Sequence, residues 1–388
     1  MLNRRSIRIK AMQTLYALDQ GRKANNALAE DYIKNSFLPD LNSMEPQDKE
    51  ELKAQEKEAL SLYRKSCPDK EINTKEQPAD KIVSVVQSAI ELYYRKNEND
   101  ARYFRQLMID DMEAIRNHTY EVLLFLVDFG KLADKEYIKR KNNPALKNIP
   151  SFKGASNLFN SPLLNALKKR LDRRSLALSE DQLLESQEFY KLLKKDEKYQ
   201  KYIQNGSASF AEDQEVMQHI VKTVLFKSDL FAAYMESKDI FWKEDKAIVR
   251  SMASKTVKLI TPDTLEEDTI AELSMNWEED CNFFKKLYDY TLEHEKEFEA
   301  LISAKTENWS KERITELDML IMKLALAEMC HFPSIPVKVT INEFVELAKN
   351  YSTPKSKKFV NGVLDVLSEN MQKDGRVRKS GRGLMDNK

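Results

Sequence analysis

The segment from Ile341 to Asp365, INEFVELAKNYSTPKSKKFVNGVLD, constrains the fold of this chain more than any other segment. Its apolar residues recur every three or four positions on both sides of a short turn rich in Ser, Thr and Pro. This spacing is typical of helices with one buried face. The apolar positions are Ile341, Phe344, Val345, Leu347, Ala348 and Tyr351 before the turn, and Phe359, Val363, Leu364 and Leu367 after it. The pattern predicts two packed helices joined by a tight connection.

The turn between these two predicted helices carries a cluster of lysines: Lys355, Lys357 and Lys358. Positive charge concentrated at one end of a helix pair suits the phosphate backbone of a nucleic acid. Phe359 follows the cluster directly. It is either an aromatic platform for base stacking or, as its helical spacing also allows, a buried core residue. The combination of charge and an aromatic ring indicates RNA binding.

Glycine is scarce in the whole chain, with 8 glycines in 388 residues, and tight hairpins and glycine-rich phosphate loops are therefore not expected. We predict an all-α fold, and a hydrophobic content of 41% is enough for a packed core. The formal net charge is +0, but the basic residues are unevenly placed. They gather in the first ten residues, which contain no acid, and in the tail from residue 373 onward. A neutral chain of this kind can still present a basic face.

The sequence also bears on the compartment. It contains no run of about 18 apolar residues, so it predicts no membrane-spanning helix. Its first residues are arginine-rich and lack the apolar centre of a signal peptide, so we expect a cytoplasmic protein that is not exported. The cysteines Cys67, Cys281 and Cys330 are far apart, as is typical of reduced thiols.

Capping residues and helix breakers divide the chain into segments. The first helix is predicted to begin after Asn3 and to end at Gln20, with Gly21 as the residue that terminates it. Later helices are predicted over 284–302, after Thr315, and from Pro336. Further helical patterns occupy 45–65, 82–94, 103–128 and 217–235. The stretch 142–162 is rich in Asn, Pro and Ser and is the best candidate for a linker.

Four segments resemble the family of the bacterial transcription antitermination factor NusB. They are NRRSIRIKAMQTLYA near the start of the chain, and NWSKERITELDMLIMKLALAEM, INEFVELAK and FVNGVLD near its end. The resemblance covers residues 1–20 and 275–370. It implies a helical bundle of two packed helical subdomains, enlarged here by an inserted helical region at 21–274. Residues 371–388 are then expected to form a basic, flexible tail.

The same resemblance implies a function. Family members bind the boxA element of ribosomal RNA leader transcripts together with NusE, a small-subunit ribosomal protein. They act in the elongation complex, with RNA polymerase and other Nus factors, to suppress termination and support ribosomal RNA synthesis. The expected RNA contacts are Arg4, Arg5, Arg8 and Lys10 in the first helix, and Lys355, Lys357, Lys358 and Phe359 at the turn. Tyr16 and Asp318 are the expected contacts with NusE.

Two positions need separate comment. Many relatives have an acidic residue before the serine of the turn, whereas this chain has Lys355 before Ser356, which predicts stronger general RNA affinity. Gly362 stands inside a helical pattern, where glycine costs about 1 kcal/mol relative to alanine. We interpret it as a site of close packing between helices, with the direct approach of RNA as the alternative.

Catalysis is not expected. Some RNA-modifying methyltransferases carry a NusB-like domain, but their catalytic part needs a glycine-rich strand-to-helix turn, which this sequence lacks. His294 and Glu295 begin like a zinc-protease helix, yet Phe298 occupies the position of the second histidine. We therefore predict no metal and no cofactor. The alternative to RNA binding is a helical protein–protein interaction scaffold that has kept the fold without specific RNA binding.

Overall fold

The structure, a computed structural model, describes residues 1–40, 46–72, 78–143, 154, 156–205, 207–306 and 315–387. These residues form helices, turns and loops without a β-strand, which confirms the predicted all-α class. The helices are α1 (Arg4–Ser36), α2 (Lys49–Ser66), α3 (Asp80–Lys141), α4 (Asn157–Asn160), α5 (Pro162–Asp172), α6 (Glu180–Leu193), α7 (Glu197–Gln204), α8 (Phe210–His219), α9 (Asp229–Lys238), α10 (Trp242–Leu259), α11 (Trp277–Glu293), α12 (Glu295–Thr306), α13 (Glu316–His331), α14 (Val337–Tyr351) and α15 (Ser356–Lys373). Over the described part of the chain, no helix is both long enough and apolar enough to cross a bilayer.

The chain divides into two compact units. Unit 1 consists of Met1–Ser6 and Asp110–Asp280, and unit 2 consists of Ile7–Ile109 and Cys281–Lys388. These boundaries differ from the predicted ones after residues 20, 274 and 370. Residues 21–109, which we assigned to the insertion, belong to the same compact unit as the C-terminal helices.

The first helix is longer than predicted. Asn3 is its N-cap as expected, because its side-chain oxygen accepts a hydrogen bond from the backbone N–H of Ser6 at 2.9 Å. Gly21 does not terminate it, however, and α1 continues to Ser36. The reason lies in packing: Ala29 and Ile33 are fully buried in an apolar cluster with residues of α2 and α3. That burial outweighs the cost of about 1 kcal/mol for a glycine within a helix.

Three other helix boundaries differ from the predicted ones. The patterns at 82–94 and 103–128 belong to the single helix α3, because the residues between them contain neither Gly nor Pro. The pattern at 217–235 is interrupted by a π-helical segment, Ile220–Leu225. The helix expected over 284–302 is divided at His294 into α11 and α12. Residues 144–153 and 155 of the predicted linker lie outside the described residues, while its described part contains the short helix α4 and Ser161, which caps α5 as expected.

The C-terminal part of unit 2 holds the predicted helix pair. Helices α14 and α15 form as the apolar spacing indicated, and both pack against α13. Helix α13 lies at the centre, where Leu320, Ile321, Leu324 and Ala327 are all buried. Burial of each large aliphatic or aromatic side chain contributes about 1.5–3 kcal/mol, and this term holds the three helices together.

The basic tail is packed rather than flexible over its described part. Val377 is buried, the backbone N–H of Ser380 donates to the carbonyl of Pro333 at 3.0 Å, and Lys379 donates to the carbonyl of Phe332 at 3.0 Å. A short 3-10 helix, Gly381–Asn387, follows. Both acceptors lie in the connection directly after α13, so these hydrogen bonds hold the tail against the end of that helix.

Candidate nucleic-acid interface

Arg8, expected to contact RNA, lies in the interior of unit 2. Its side chain is 4% exposed and forms two hydrogen bonds with the carboxylate of Glu328, at 2.6 Å and 2.9 Å. The hydroxyl of Thr340 donates to the same carboxylate at 2.8 Å. The prediction for Arg8 is wrong for a physical reason: the guanidinium joins α1 to α13 and does not reach the surface.

Lys10 requires the same correction. Its side chain is 1% exposed, although it lies in the first helix among residues predicted to face RNA. A lysine buried to this extent offers no ammonium group to a phosphate at the surface. Neither of these two basic residues is therefore retained as an RNA contact.

Arg4 and Arg5 have different surroundings in unit 1. Arg4 is partly exposed and forms ion pairs with Glu279 and, at 3.7 Å, with Asp280. Arg5 is exposed. Of the predicted basic residues in the first helix, Arg5 is consequently the one best placed to meet a ligand from solution.

A chain of hydroxyl groups holds the turn between α14 and α15. Ser356 donates to the carboxylate of Asp318 at 2.8 Å, and Ser352 and Thr353 lie 3.0 Å and 2.8 Å from the Ser356 hydroxyl. Each hydroxyl has one proton, so Ser352 and Thr353 must donate to Ser356 when Ser356 donates to Asp318. The turn is thus organised around one carboxylate.

Asp318, expected to contact NusE, is therefore an internal anchor. Its side chain is 1% exposed, and its backbone N–H donates to the N-cap residue Thr315 at 3.0 Å. The prediction of a partner contact is wrong here, because the carboxylate faces the turn from within the protein. Its function in this structure is to position the turn that carries the lysines.

The three turn lysines are all exposed, in contrast to the basic residues of α1. Lys357 lies 3.9 Å from Glu346, which also pairs with Lys349 at 3.1 Å. Lys355 and Lys358 have no carboxylate within ion-pair distance among the described residues. The ammonium groups of these two lysines can bind phosphate groups without first breaking an ion pair.

Gly362 continues this exposed face along α15. Lys358, Gly362 and Val366 are spaced four residues apart and lie on one side of the helix. A Cβ atom added at Gly362 would have no atom of another residue within 4 Å, and Val366 is 49% exposed. The interpretation of Gly362 as a site of close helix packing is therefore wrong.

Phe359 is not part of this surface. Its side chain is 7% exposed and belongs to the buried side of α15. The prediction of a stacking platform at this residue is wrong. Phe359 follows the apolar spacing of α15, and this spacing places its side chain in the core.

An aromatic surface lies nearby instead, in a cavity of about 440 Å³ in unit 2. Tyr16, which is 44% exposed, lines the cavity with Met12, Leu317 and Tyr351. Tyr351 ends α14 and directly precedes Ser352, so this cavity adjoins the lysine-bearing turn. We did not predict a site residue at Tyr351, and its only sequence signal is an aromatic residue at the end of an apolar stripe.

The described residues contain no group of three or more His, Cys, Asp or Glu side chains arranged to hold a metal ion.

Comparison with known proteins points to a specific family. The model of the NusB family matches residues 247–369. The transcription antitermination protein NusB of an Exiguobacterium species is 36% identical over 115 residues, which cover 30% of this chain and 90% of that protein. The chain belongs to the NusB family.

Two further relatives have the same name. The NusB protein of Chloroherpeton thalassium is 35% identical over 137 residues, which cover 35% of this chain and 61% of that protein. The NusB protein of Salinibacter ruber is 38% identical over 104 residues, which cover 27% of this chain and 65% of that protein. The chain thus spans less than two thirds of these two relatives. No solved structure matches it.

The region matched by the NusB family model contains part of the candidate interface. Asp318, the turn lysines, Phe359 and Gly362 lie within residues 247–369, whereas the basic residues of α1 and Tyr16 lie outside them. Most of unit 1 also lies outside the matched region. This NusB family member therefore combines a shared helical core with a large additional part.

Proposed function

We propose that this protein is an RNA-binding transcription antitermination factor. It binds boxA-type leader RNA together with ribosomal protein NusE, within the elongation complex of RNA polymerase and other Nus factors. Its action is binding without catalysis. Membership of the NusB family supports this proposal, since the three relatives all have the name transcription antitermination protein NusB.

The observation that carries the proposal is the exposed face formed by Lys355, Lys358 and Gly362. Two lysines without carboxylate partners lie beside a helical position that has no side chain. A sugar-phosphate backbone can approach a helix closely at such a glycine, while the lysine ammonium groups neutralise its charge. The buried anchor Asp318 holds the turn in place, so that the lysines need little ordering upon binding.

The cavity lined by Tyr16 and Tyr351 supports a second contact beside the first. It is bordered by Met12 and Leu317, so its walls are mainly apolar and aromatic. An exposed tyrosine such as Tyr16, beside the half-buried Tyr351 and an apolar depression, is typical of protein interfaces. We assign this cavity to NusE, in place of the buried Asp318.

Fluorescence anisotropy with a labelled boxA-like single-stranded RNA tests the RNA contact. The variant Lys355→Gln/Lys358→Gln should bind more weakly, and its affinity should depend less on salt. Each lost phosphate contact lowers the salt slope on single strands by about 0.7. The matched control is Lys286→Gln/Lys296→Gln, which removes the same charge from exposed positions of unit 2. Equal effects of the two double variants would refute a specific contact at the turn.

Adding NusE separates the proposal from the scaffold alternative. We expect NusE to strengthen binding of a boxA-like RNA more than binding of a scrambled RNA. Tyr16→Ala should abolish this gain while leaving the affinity for RNA alone unchanged. Binding of NusE without any RNA binding would instead identify a protein–protein interaction scaffold.

A further inference from the structure

Unit 1 contains a second basic surface, one wall of which lies inside residues 247–369 matched by the NusB family model and the other wall outside them. A groove of about 590 Å³ runs between α10 and the segment formed by α8 and the π-helix. Four cationic residues line it: Lys222, Arg250, Lys255 and Lys258. We call this surface the basic groove.

The lining of the basic groove contains no carboxylate. Its other residues include Gln218, Ser251 and Ser254, which are polar and uncharged. Lys222 donates to the side-chain oxygen of Gln218 at 2.8 Å, and Lys255 lies 3.6 Å from the thioether sulfur of Met1. Among the described residues, none of the four cations forms an ion pair. No carboxylate in the lining competes with a ligand for these four side chains.

Elsewhere in unit 1 basic residues often meet acids. Lys169 pairs with Glu266 at 2.8 Å, and Arg174 pairs with Asp268 at 2.6 Å. Lys238 pairs with Glu121 at 2.6 Å. Unit 1 therefore has carboxylates near many of its cations, and the basic groove is a local exception. Like charges collected in a concave surface strengthen each other's field and attract anions.

The local helix geometry directs the cationic side chains of the basic groove into it. Arg250, Ser254 and Lys258 are spaced four residues apart on one side of α10. On the opposite wall, the π-helix Ile220–Leu225 buries its four aliphatic residues and turns Lys222 away from the core. π-helical turns are rare and occur frequently at functional sites. The unusual turn thus supports a binding role for this wall.

The length of the groove indicates an extended ligand. Arg250 and Lys258 are separated by eight residues, which corresponds to about 12 Å along an α-helix. A single phosphate ion cannot contact both ends of such a row, whereas consecutive phosphates of one strand can. The concave shape also favours a strand over a membrane surface, which presents no ridge to enter a groove.

We propose that the basic groove binds the phosphate backbone of single-stranded RNA, as a contact separate from the lysine-bearing turn. The choice of RNA as the polyanion rests on the proposed function. The groove gives this NusB family member a longer RNA footprint than the turn alone provides. Because it recognises backbone phosphates and offers no aromatic ring to the bases, its contribution is independent of RNA sequence.

The test uses the full chain and a fluorescently labelled single-stranded RNA, titrated at several salt concentrations. The variant Lys222→Gln/Lys255→Gln/Lys258→Gln should lower the salt slope by about 2 and weaken binding roughly tenfold or more at 0.1 M salt. The matched control is Lys131→Gln/Lys139→Gln/Lys195→Gln, which removes the same charge from exposed positions of unit 1 outside the groove. Replacing the same three groove lysines by arginine keeps the charge and should preserve both slope and affinity.

The outcomes separate this inference from the proposed function. If the wild type binds no RNA, both fail. If the wild type binds RNA and the turn variant weakens that binding, but the groove variant behaves like its control, the inference alone is overturned. Competition by inorganic phosphate at matched ionic strength provides a second criterion, because loss of the groove-dependent binding there would identify a single-ion site. Circular dichroism verifies that each variant keeps its helical fold.

Discussion

Arg8 and Glu328 form a two-point ion pair inside unit 2, with nitrogen–oxygen distances of 2.6 Å and 2.9 Å. Glu328 is 0% exposed and Arg8 is 4% exposed. Arg8→Met leaves the buried carboxylate of Glu328 without its arginine and should cost about 3–5 kcal/mol of unfolding free energy. Glu328→Met should cost less, because Arg8 also lies 3.6 Å from Glu343. Urea denaturation measures this cost.

The double variant Arg8→Met/Glu328→Met removes both charges and should be more stable than either single variant. Arg102→Met, at a position of unit 2 whose side chain is 76% exposed, provides the control and should change stability by less than about 0.5 kcal/mol. An Arg8 variant that stays as stable as the wild type but loses RNA affinity would restore Arg8 as an RNA contact.

The hydroxyl of Ser356 is predicted to hold the turn between α14 and α15 in one ordered conformation. Ser356→Ala removes the hydrogen bond to the Oδ2 atom of Asp318 at 2.8 Å, and the other oxygen of that buried carboxylate, Oδ1, has no hydrogen-bond partner to compensate. We expect a loss of about 1–3 kcal/mol, together with weaker RNA binding, because the turn lysines become less ordered. Thermal denaturation and anisotropy measure the two effects. Ser303→Ala, at an exposed position of α12, is the control, and an effect of equal size there would refute the anchoring role.

Substitution of Gly362 is predicted to change stability and RNA binding in opposite directions. Gly362→Ala meets no neighbouring atom and should stabilise α15 by about 1 kcal/mol, as expected from helix propensity. The added methyl group should also hinder the approach of RNA and weaken its binding. Thermal denaturation and RNA titration of the same sample measure both quantities. Increased stability with unchanged RNA affinity would show that RNA does not approach this position.

Glu295 is predicted to make stability depend on pH. Its carboxylate lies 2.8 Å from Arg22 and 3.2 Å from Lys323. Burial opposes its ionisation, but the charges of Arg22 and Lys323 outweigh burial and hold the pKa of Glu295 below its ordinary value. Such a group stabilises the fold above its unfolded-state pKa, and this contribution is lost as the pH falls through its folded-state pKa.

Glu295→Gln should therefore destabilise the protein at neutral pH, and its deficit relative to the wild type should shrink as the solution becomes acidic. Nearby, burial and the charge of Glu295 raise the pKa of Asp19, which acts in the opposite direction. Thermal denaturation over a pH series compares Glu295→Gln with the exposed control Glu293→Gln. A deficit of constant size across the series would contradict the assignment.

Much of the helical architecture could be predicted because it depends on local periodicity. Apolar spacing located α14 and α15, and Thr315 and Asn3 marked helix starts through the short-range hydrogen bonds that caps make. Helix ends were harder to predict. Gly21 resembles a terminating residue, but the residues beyond it are held in the helix by an apolar cluster whose other members come from α2 and α3.

Part of the candidate site could likewise be predicted from the sequence, and part could not. The exposed lysines could be predicted because a charged cluster next to a turn is almost always solvated. The cavity beside Tyr16 and Tyr351 could not, because its walls come from α1, the start of α13 and the end of α14. The basic groove likewise combines residues of two separate helical segments.

The sequence by itself determined that the chain is helical and, where the apolar spacing is clear, which helix faces are apolar, since both follow from spacing over a few residues. Only the tertiary structure decided which charged residues are buried. Arg8 and Glu328 are 320 positions apart, and no local pattern indicates that they meet. A charge is stable in the interior when an opposite charge is brought to it, and folding alone brings such distant partners together. The same argument turns Asp318 from an expected partner contact into the anchor of the lysine-bearing turn.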